Sequence, residues 1–293
     1  MQHHYPDRDP DGFVGVRYWP PPAHLRSYFG SVYLFTANRP TYHDATRADI
    51  PQLRFMLSAT GYYQFYDGRT ATTPEICMVG ATTGATDFYL TGPTRVFGIS
   101  LMPLGWAALG CDDACDRGDM IYDVEAIHGT QFRVMLDTLS GEVDPDAAAA
   151  KIWAFLDTQL RPVPAEVRNI VAVISAWLEH SSSPQIEDLT TASNLSARQI
   201  ARYAKRLYGA PPKLLARKYR ALKCAGQIVL DKKGWQDLCD EGTFYDQPHF
   251  IREIKRFIGL TPHQLMHNPT EVVQQTVKRR ALTGLVDELN RIS

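Results

Sequence analysis

The chain has 293 residues, of which 44% are hydrophobic and 22% are charged, and its formal net charge at pH 7 is −1. These values are ordinary for a soluble protein that is long enough for two domains with separate cores. No apolar run has the length that crosses a bilayer, and the polar N-terminus MQHHYPDRDPDG is unlike a secretion signal. Without such a signal, the odd number of cysteines favours reduced thiols and a cytoplasmic location.

Short runs rich in β-branched and aromatic residues alternate with Gly, Pro and Asp over the first hundred residues. This alternation predicts a small antiparallel barrel or sandwich. The expected strands cover residues 28–36, 53–58, 61–66, 76–79, 88–90 and 95–101. Helices over 131–139 and 146–160 are predicted to follow, and the residues Arg-Pro-Val-Pro at 161–164 are interpreted as a linker.

The N-terminal half has little that predicts an enzyme. It contains no Gly-rich phosphate loop and no nucleophile motif. Outside the N-terminus, its histidines do not pair at strand spacing: His24, His43 and His128. Cys111 and Cys115 enclose an acidic stretch that matches no strong metal pattern, and we interpret it as a surface loop. We therefore expect no catalytic residue, metal or cofactor, and we favour a small-molecule sensor over a pure dimerisation scaffold.

A ligand pocket in this half would be lined by aromatic residues with a few polar groups. Packing in a core explains each of the candidates more simply: Trp19, Tyr33, Phe35, Tyr63 and Trp106. Arg54 is more informative, because an inward-pointing guanidinium would need an anionic partner from the protein or from a ligand. An outward-pointing Arg54 would be solvated and would need no anionic partner.

Positive charge is concentrated in residues 184–269. Residues 1–183 contain 13 Lys and Arg against 21 Asp and Glu, a net charge of −8, whereas residues 184–269 contain 14 against 8, a net charge of +6. Between Leu189 and Leu230 there are nine basic residues and no acidic one. A basic block on an otherwise acidic chain indicates a polyanionic partner.

One structural unit occurs twice in this basic region. A shift of 50 residues places Arg202 on Arg252, Lys205-Arg206 on Lys255-Arg256, and Gly209 on Gly259. Each copy predicts a helix, a tight turn and a second helix.

In the first copy, a helix over 186–193 is expected to end at Asn194, which tolerates a left-handed turn conformation. Ser196 is the expected N-cap of a helix that runs to Tyr208 and is stopped by Gly209. One apolar stripe is predicted to be buried: Ile200, Tyr203, Ala204 and Leu207. The remaining face is polar and basic: Arg198, Gln199, Arg202 and Arg206.

In the second copy, Asp246 is the expected N-cap and Pro248 lies in the first turn, where its missing N–H costs little. Gly259 is expected to end the helix. The predicted buried stripe is Phe250, Ile254, Phe257 and Ile258. The outer face carries Gln247, His249, Arg252 and Arg256.

The C-terminal half resembles the AraC/XylS family of bacterial transcription regulators over about residues 165–269. The most specific part is FYDQPHFIREIKRFIGLTP, supported by LSARQIARYAKRLYGAPPKLL and RKYRALKCAGQIVL. The resemblance implies two helix-turn-helix units joined by a linking helix, with recognition helices entering the DNA major groove about one turn, roughly 34 Å, apart. YWPPPAHLRSYFGSVYLF and VFGISLMPLGWAALG resemble the N-terminal domain of unassigned ligand in some of these regulators, which implies a cupin-like sensing and dimerising domain.

By position, the resemblance implies DNA contacts from both recognition helices. The residues expected to face bases are Arg198, Gln199, Arg202, Gln247, His249 and Arg252. Arg206, Arg256 and Lys218 are the other expected DNA contacts, and Lys218, which lies beyond the first recognition helix, would reach a phosphate. Partners implied are double-stranded DNA, a small-molecule effector, RNA polymerase and a second copy of the chain, with no membrane partner.

The sequence thus predicts an α+β chain with a β-rich sensing and dimerising domain over 1–162, a DNA-binding domain over 163–269 and a final helix over 270–293. The expected DNA-binding domain begins with an amphipathic helix over 165–180. The final helix is suggested by regular apolar steps: Val273, Val277, Ala281, Leu285 and Leu289. The predicted function is sequence-specific transcription regulation, and the alternative is a non-enzymatic interaction scaffold with a degenerate DNA-binding domain.

Overall fold

The computed structural model describes residues 13–180, 184–234, 237–238, 244–277 and 284–292. Within these residues the first half forms one eight-stranded sheet, all of whose strand pairs are antiparallel, as the alternation predicted. The strands are β1 (Val14–Trp19), β2 (Phe29–Ala37), β3 (Thr41–Thr46), β4 (Gln52–Gln64), β5 (Thr70–Thr72), β6 (Ile76–Val79), β7 (Thr86–Leu101) and β8 (Ile121–Asp123). Their order is β1-β2-β7-β4-β6-β8, with β3 paired to β7 and β5 paired to β4.

The two longest strands each replace two shorter strands expected from the sequence. β4 has 13 residues and β7 has 16. The expected breaks are irregularities inside these strands, at Ala59 with φ 76° and Gly92 with φ 89°. The ladder between β4 and β7 shifts register near Ser58 but continues on both sides of it. These residues therefore bend the strands and do not end them.

The described helices are α1 (Pro103–Ala108), α2 (Val124–His128), α3 (Gln131–Ser140), α4 (Pro145–Gln159), α5 (Ala165–His180), α6 (Ile186–Ser193), α7 (Ala197–Tyr208), α8 (Pro212–Leu230), α9 (Gln247–Ile258), α10 (Pro262–His267), α11 (Glu271–Val277) and α12 (Glu288–Ile292). The helices predicted over 131–139, 146–160 and 165–180 correspond to α3, α4 and α5 within one residue at each end. The first helix of the second repeat lies largely outside the described residues. None of the described helices meets the length and hydropathy needed to cross a membrane.

Within the described residues, the segment in which a final helix was expected contains two short helices and a turn before the second one. α11 ends at Val277, and α12 begins at Glu288 after a turn in which Gly284 adopts φ 77°. Residues 278–283, and with them Ala281, lie outside the described residues. The segment folds back on the first half of the chain, since Arg26 donates to the Gly284 backbone oxygen at 3.2 Å.

Apolar packing joins the two halves. One face of the sheet packs with α1, α3 and α4 around large side chains such as Phe29, Trp106 and Ile152. The helical half has its own cluster, which also takes in five residues from the first half: Ala48, Ile50, Met102, Leu104 and Ala108. The stretch 161–164, expected as a linker, is extended, and Val163 within it is buried.

Candidate nucleic-acid interface and the adjoining cavity

The α6 and α7 segment has the helix-turn-helix geometry that its residues predict. Asn194 ends α6 in the left-handed conformation with φ 55°, and Gly209 ends α7 with φ 80°. Ser196 Oγ accepts from the Gln199 backbone N–H at 3.3 Å, and Gln199 Oε1 accepts from the Ser196 backbone N–H at 3.0 Å. This capping box satisfies two donors at the start of α7. The predicted stripe is buried: Ile200, Tyr203, Ala204 and Leu207.

α9 repeats the geometry of α7. Asp246 accepts from the His249 backbone N–H at 2.7 Å, and Gly259 ends the helix with φ 88°. Each of the two helices has 12 residues. The predicted stripe of the second copy is buried as well: Phe250, Ile254, Phe257 and Ile258.

The N-terminal ends of α7 and α9 present polar side chains to solvent. Most of the residues expected to face bases are exposed: Arg198, Gln199, Arg202, Gln247 and Arg252. His249 is half-buried, and its ring meets the Phe244 ring near a right angle at 5.9 Å between centroids. Because Gln199 Oε1 belongs to the capping box, its side-chain NH2 group is the part that can face a base.

The linking helix α8 fixes the position of α9 through an ion pair. Arg217 donates to both carboxylate oxygens of Glu253, at 2.8 Å and 2.6 Å, and the Glu253 side chain is only 5% exposed. Burial alone would raise the pKa of the Glu253 carboxyl, but the hydrogen bonds and charge of Arg217 lower it below its ordinary value. A bidentate ion pair of this kind restricts rotation of α9 on α8.

The C-terminal end of α7 docks on the first half of the chain. The Ala114 N–H donates to the Arg206 backbone oxygen at 2.8 Å, and the Cys115 N–H donates to the Lys205 oxygen at 3.0 Å. The Arg206 oxygen belongs to the last helical turn, whose carbonyl groups lack an intrahelical partner, and the Lys205 oxygen also accepts from the Gly209 N–H at 3.1 Å. The acidic stretch between Cys111 and Cys115 is therefore a docking loop for α7, although Cys115 itself is exposed.

The C-terminal end of α9 docks in the same manner. The Ala85 N–H donates to the Arg256 backbone oxygen at 2.7 Å, and the Ala48 N–H donates to the Phe257 oxygen at 2.7 Å. Arg206 and Arg256 are equivalent in the repeat, so α7 and α9 are held at the same position. Their N-terminal ends stay clear of these contacts.

The predicted phosphate contact from Lys218 is wrong for this arrangement. Lys218 is 4% exposed, and its Nζ donates to the backbone oxygens of Asp49 at 2.6 Å and Thr82 at 3.1 Å. It is buried because this face of α8 packs on the first half of the chain. Burial lowers the pKa of Lys218 to about 8, so its amine remains mostly charged at pH 7.

The two arginines at the docked helix ends differ in exposure. The Arg206 side chain is 56% exposed, and its Nε lies 3.7 Å from Asp113 Oδ1. Arg256 is half-buried, donates to the Thr83 backbone oxygen at 3.3 Å and lies 4.8 Å above the Tyr66 ring. Arg256 is thus engaged by the first half of the chain, whereas Arg206 remains open to solvent on one side.

A cavity of about 80 Å³ lies against the other face of the sheet. Three of the aromatic residues named from the sequence line it, namely Tyr33, Phe35 and Tyr63. Trp19 and Trp106 do not, because Trp19 packs on Phe97 and Trp106 is buried in the core beneath α1. The described wall is completed by apolar side chains such as Met56, Phe88, Leu90 and Val96.

Arg54 points into this cavity. It donates from Nε to the Tyr33 hydroxyl at 3.1 Å and from Nη1 to the Tyr63 hydroxyl. Burial raises the pKa of Tyr63 to about 12, although the charge of Arg54 opposes that rise, so the hydroxyl is neutral at pH 7. Among the described residues no carboxylate forms an ion pair with Arg54. Its hydrogen-bonding partners in the cavity are therefore uncharged.

One short segment separates the cavity from the helical half. Residues 45–49 contribute Ala45, Thr46, Arg47 and Asp49 to the cavity wall. On its other side, Ala48 donates to α9 and the Asp49 oxygen accepts from Lys218 in α8. Residues 45–49 therefore contact the cavity on one side and α8 and α9 on the other.

The described residues provide no metal site and no disulfide. They contain no group of three or more His, Cys, Asp or Glu that could hold a metal ion. Three of the described cysteines are free thiols: Cys77, Cys111 and Cys115. Local sequence reasoning missed the docking role of 45–49, because nothing in that stretch marks it as an interdomain contact.

No protein-family model and no curated protein matches the chain. Among solved structures it is similar to apo ToxT, in a variant form from Vibrio cholerae, with 10% identity, a TM-score of 0.44 and coverage of 90% of this chain and 100% of that one. Wild-type Vibrio cholerae ToxT with bound unsaturated fatty acid aligns with 9% identity and a TM-score of 0.44, over 89% of this chain and 97% of that one. The AraC-like transcriptional activator CuxR aligns with 11% identity and a TM-score of 0.33, over 72% and 80%.

At these identities and TM-scores, overall likeness does not assign a function, which must come from the site itself. The solved structures that this chain is similar to include an AraC-like transcriptional activator, and AraC/XylS is the family whose motifs its C-terminal half resembles.

Proposed function

We propose that the chain is a non-enzymatic, sequence-specific transcription regulator that binds double-stranded DNA through α7 and α9. The observation that carries this proposal is the matched geometry of the two helices. Each starts at a side-chain N-cap, Ser196 or Asp246, and ends at a left-handed glycine, Gly209 or Gly259. Each also buries an apolar stripe and leaves a polar N-terminal end exposed, the end that a recognition helix presents to base edges.

In this proposal, Arg202 and Arg252 are the main base-reading residues. Both are exposed and occupy equivalent positions in the two repeats. The guanidinium group fits the O6 and N7 acceptors of guanine with two hydrogen bonds. Arg198, Gln199, Gln247 and His249 would supply further contacts near them, and Arg206 remains available for a phosphate.

We also propose that the first half is a small-molecule sensor and dimerisation domain, and that the regulator acts in the cytoplasm as a homodimer. The cavity supports the sensing role, because it combines aromatic walls with the buried guanidinium of Arg54, which donates hydrogen bonds to two neutral hydroxyls. A buried charge of this kind gains from an anionic group on a ligand. We place the domain boundaries near residues 162 and 269.

A band-shift assay on the DNA flanking the chain's own gene, with random DNA as competitor, tests the proposal. Full-length protein should give a shift that random DNA does not remove. The variants Arg202→Ala and Arg252→Ala should weaken it, and Arg69→Ala is a matched control, because Arg69 is an exposed arginine in the first half. The interaction-scaffold alternative would be favoured if the protein gives no shift. It would also be favoured if random DNA removes the shift as effectively as the DNA that flanks the gene.

A further inference from the structure

The cavity is too small to hold the effector that the proposed function requires. Its volume is about 80 Å³, whereas sites for small molecules usually measure about 300–1,000 Å³. Part of the wall must therefore move before such a molecule can enter.

The strands are poor candidates for that movement. Tyr33 and Phe35 lie on β2, which is bonded to β1 on one side and β7 on the other. Tyr63 and Arg54 lie on β4, which is bonded to β7 along most of its length and to β5 or β6 on its other edge. Moving either strand would break ladder hydrogen bonds on both edges, each of which would leave buried groups unpaired.

The wall outside the strands consists of residues 47–49, which are bonded to α8 and α9, and of the short helix α11, which contributes Val272, Val273 and Thr276. It has seven residues, too few for a helix that is stable without its neighbours. It is attached to the first half by a two-pronged ion pair between Arg39 and Glu271, with both distances 2.7 Å. Their side chains are 35% and 44% exposed, so water can replace this ion pair at little cost.

The hydrogen bonds that Val272 and Gln275 make to the first half can also break without leaving a buried charge unpaired. The Val272 N–H donates to Asp44 Oδ2 at 2.9 Å. When that bond is lost, Asp44 still accepts from the Tyr42 hydroxyl at 3.0 Å and from the Ala45 N–H at 2.7 Å. The Gln275 side chain donates to the Val14 backbone oxygen at 3.3 Å, a group near the start of β1.

We propose that α11 is the lid of the cavity and that an effector enters when residues 271–277 swing away from β1 and β3. This inference rests on the proposed sensing role of the first half. Val273 also belongs to the apolar cluster of the helical half, and Thr276 accepts from Arg47 at 3.5 Å. Lid opening therefore removes the contact of Val273 with the helical cluster at the same moment as it exposes Arg54.

Stopped-flow fluorescence with 8-anilinonaphthalene-1-sulfonate, an anionic aromatic probe, tests the lid. Glu271→Arg and Arg39→Glu each break the ion pair but change the net charge in opposite directions. Both single variants should bind the probe about three to ten times faster than wild type, and the double variant Arg39→Glu/Glu271→Arg should return to the wild-type rate. Arg69→Glu, which breaks the exposed Arg69–Asp67 pair away from the cavity, should leave the rate unchanged.

A second variant shows whether the probe occupies the cavity. Arg54→Met should weaken probe binding in the wild-type and the Glu271→Arg backgrounds alike. Equal association rates in all ion-pair variants would overturn the lid proposal. Opposite effects of the two single variants would also overturn it, because the change in net charge alone would then explain the rates. The band shift is measured on the same proteins, so failure of DNA binding and failure of the lid are separate outcomes.

Discussion

The Lys218 ammonium lies 2.6 Å from the backbone oxygen of Asp49, although the two residues belong to different halves of the chain. Lys218 comes from the basic linking helix, and Asp49 comes from the segment that borders the cavity. This bond makes Lys218 part of the contact between the two halves of the chain.

We predict that Lys218→Met leaves the salt dependence of DNA binding unchanged, because the amine does not reach a phosphate in this arrangement. A phosphate contact would instead lower the slope of log affinity against log salt by about one. The substitution should cost about 1–3 kcal/mol in the free energy of unfolding, because the backbone oxygens of Asp49 and Thr82 lose a donor. Filter binding at several salt concentrations and a denaturant melt measure the two quantities.

The same amine predicts a pH dependence of stability. The folded pKa of Lys218 is about 8, below the ordinary value of 10.5 because of burial. Between these values the unfolded chain binds more protons, so this group makes the folded protein more stable as pH rises from 8 towards 10.5. Denaturant melts at pH 7.5 and 10 should show the wild type gaining stability relative to Lys218→Met. An unchanged difference between the two proteins would contradict a buried, charged amine.

Arg252→Ala should cost about 1–3 kcal/mol in DNA-binding free energy and relax the base preference at one or two positions of the site. Arg202→Ala should act likewise on the other half of the site, but less strongly, because the small Ala201 leaves the first helix with fewer contacts. Selection from randomised DNA with each variant measures base preference directly. If the Arg252 variant keeps its full consensus and only binds more weakly, Arg252 contacts a phosphate and α9 positions the protein.

Glu253→Gln should loosen α9 on α8, since a neutral amide cannot accept both donors of Arg217 as a carboxylate does. We expect a loss of about 1–3 kcal/mol in stability and a weaker band shift, although Glu253 is buried and faces away from solvent. Glu187→Gln, an exposed position in α6, is the matched control. Wild-type DNA affinity in the Glu253 variant would show that the ion pair does not orient the reading face.

A fragment of residues 163–269 should remain helical and bind single half-sites, whereas the full chain should bind paired half-sites more tightly through effective concentration. Circular dichroism and band shifts on one and two half-sites measure both properties. The apolar contact of Ala48, Ile50 and Leu104 with the helical cluster should make the fragment less stable than the same helices in the full chain. Equal affinity of the full chain for one and two sites would argue against dimerisation through residues 1–162.

The sequence by itself determined the helices α7 and α9. The helix ends are set by capping residues, which affect only backbone groups within a few residues of themselves: Ser196, Asp246, Asn194, Gly209 and Gly259. The apolar stripes follow from helical periodicity. These features therefore agree with the structure almost residue for residue.

Only the tertiary structure decided which basic residues remain exposed to solvent. Lys218, Arg206 and Arg256 look alike in the sequence, yet one is buried, one is exposed and one is engaged by Thr83 and Tyr66. The exposure of these three side chains depends on segments more than 80 positions away, such as 45–49, 82–85 and 112–115. The closure of the cavity by α11 is of the same kind, because Glu271 and Arg39 are 232 positions apart. Local preferences set the ends and faces of helices, but which faces are then covered is decided by packing between distant parts of the chain.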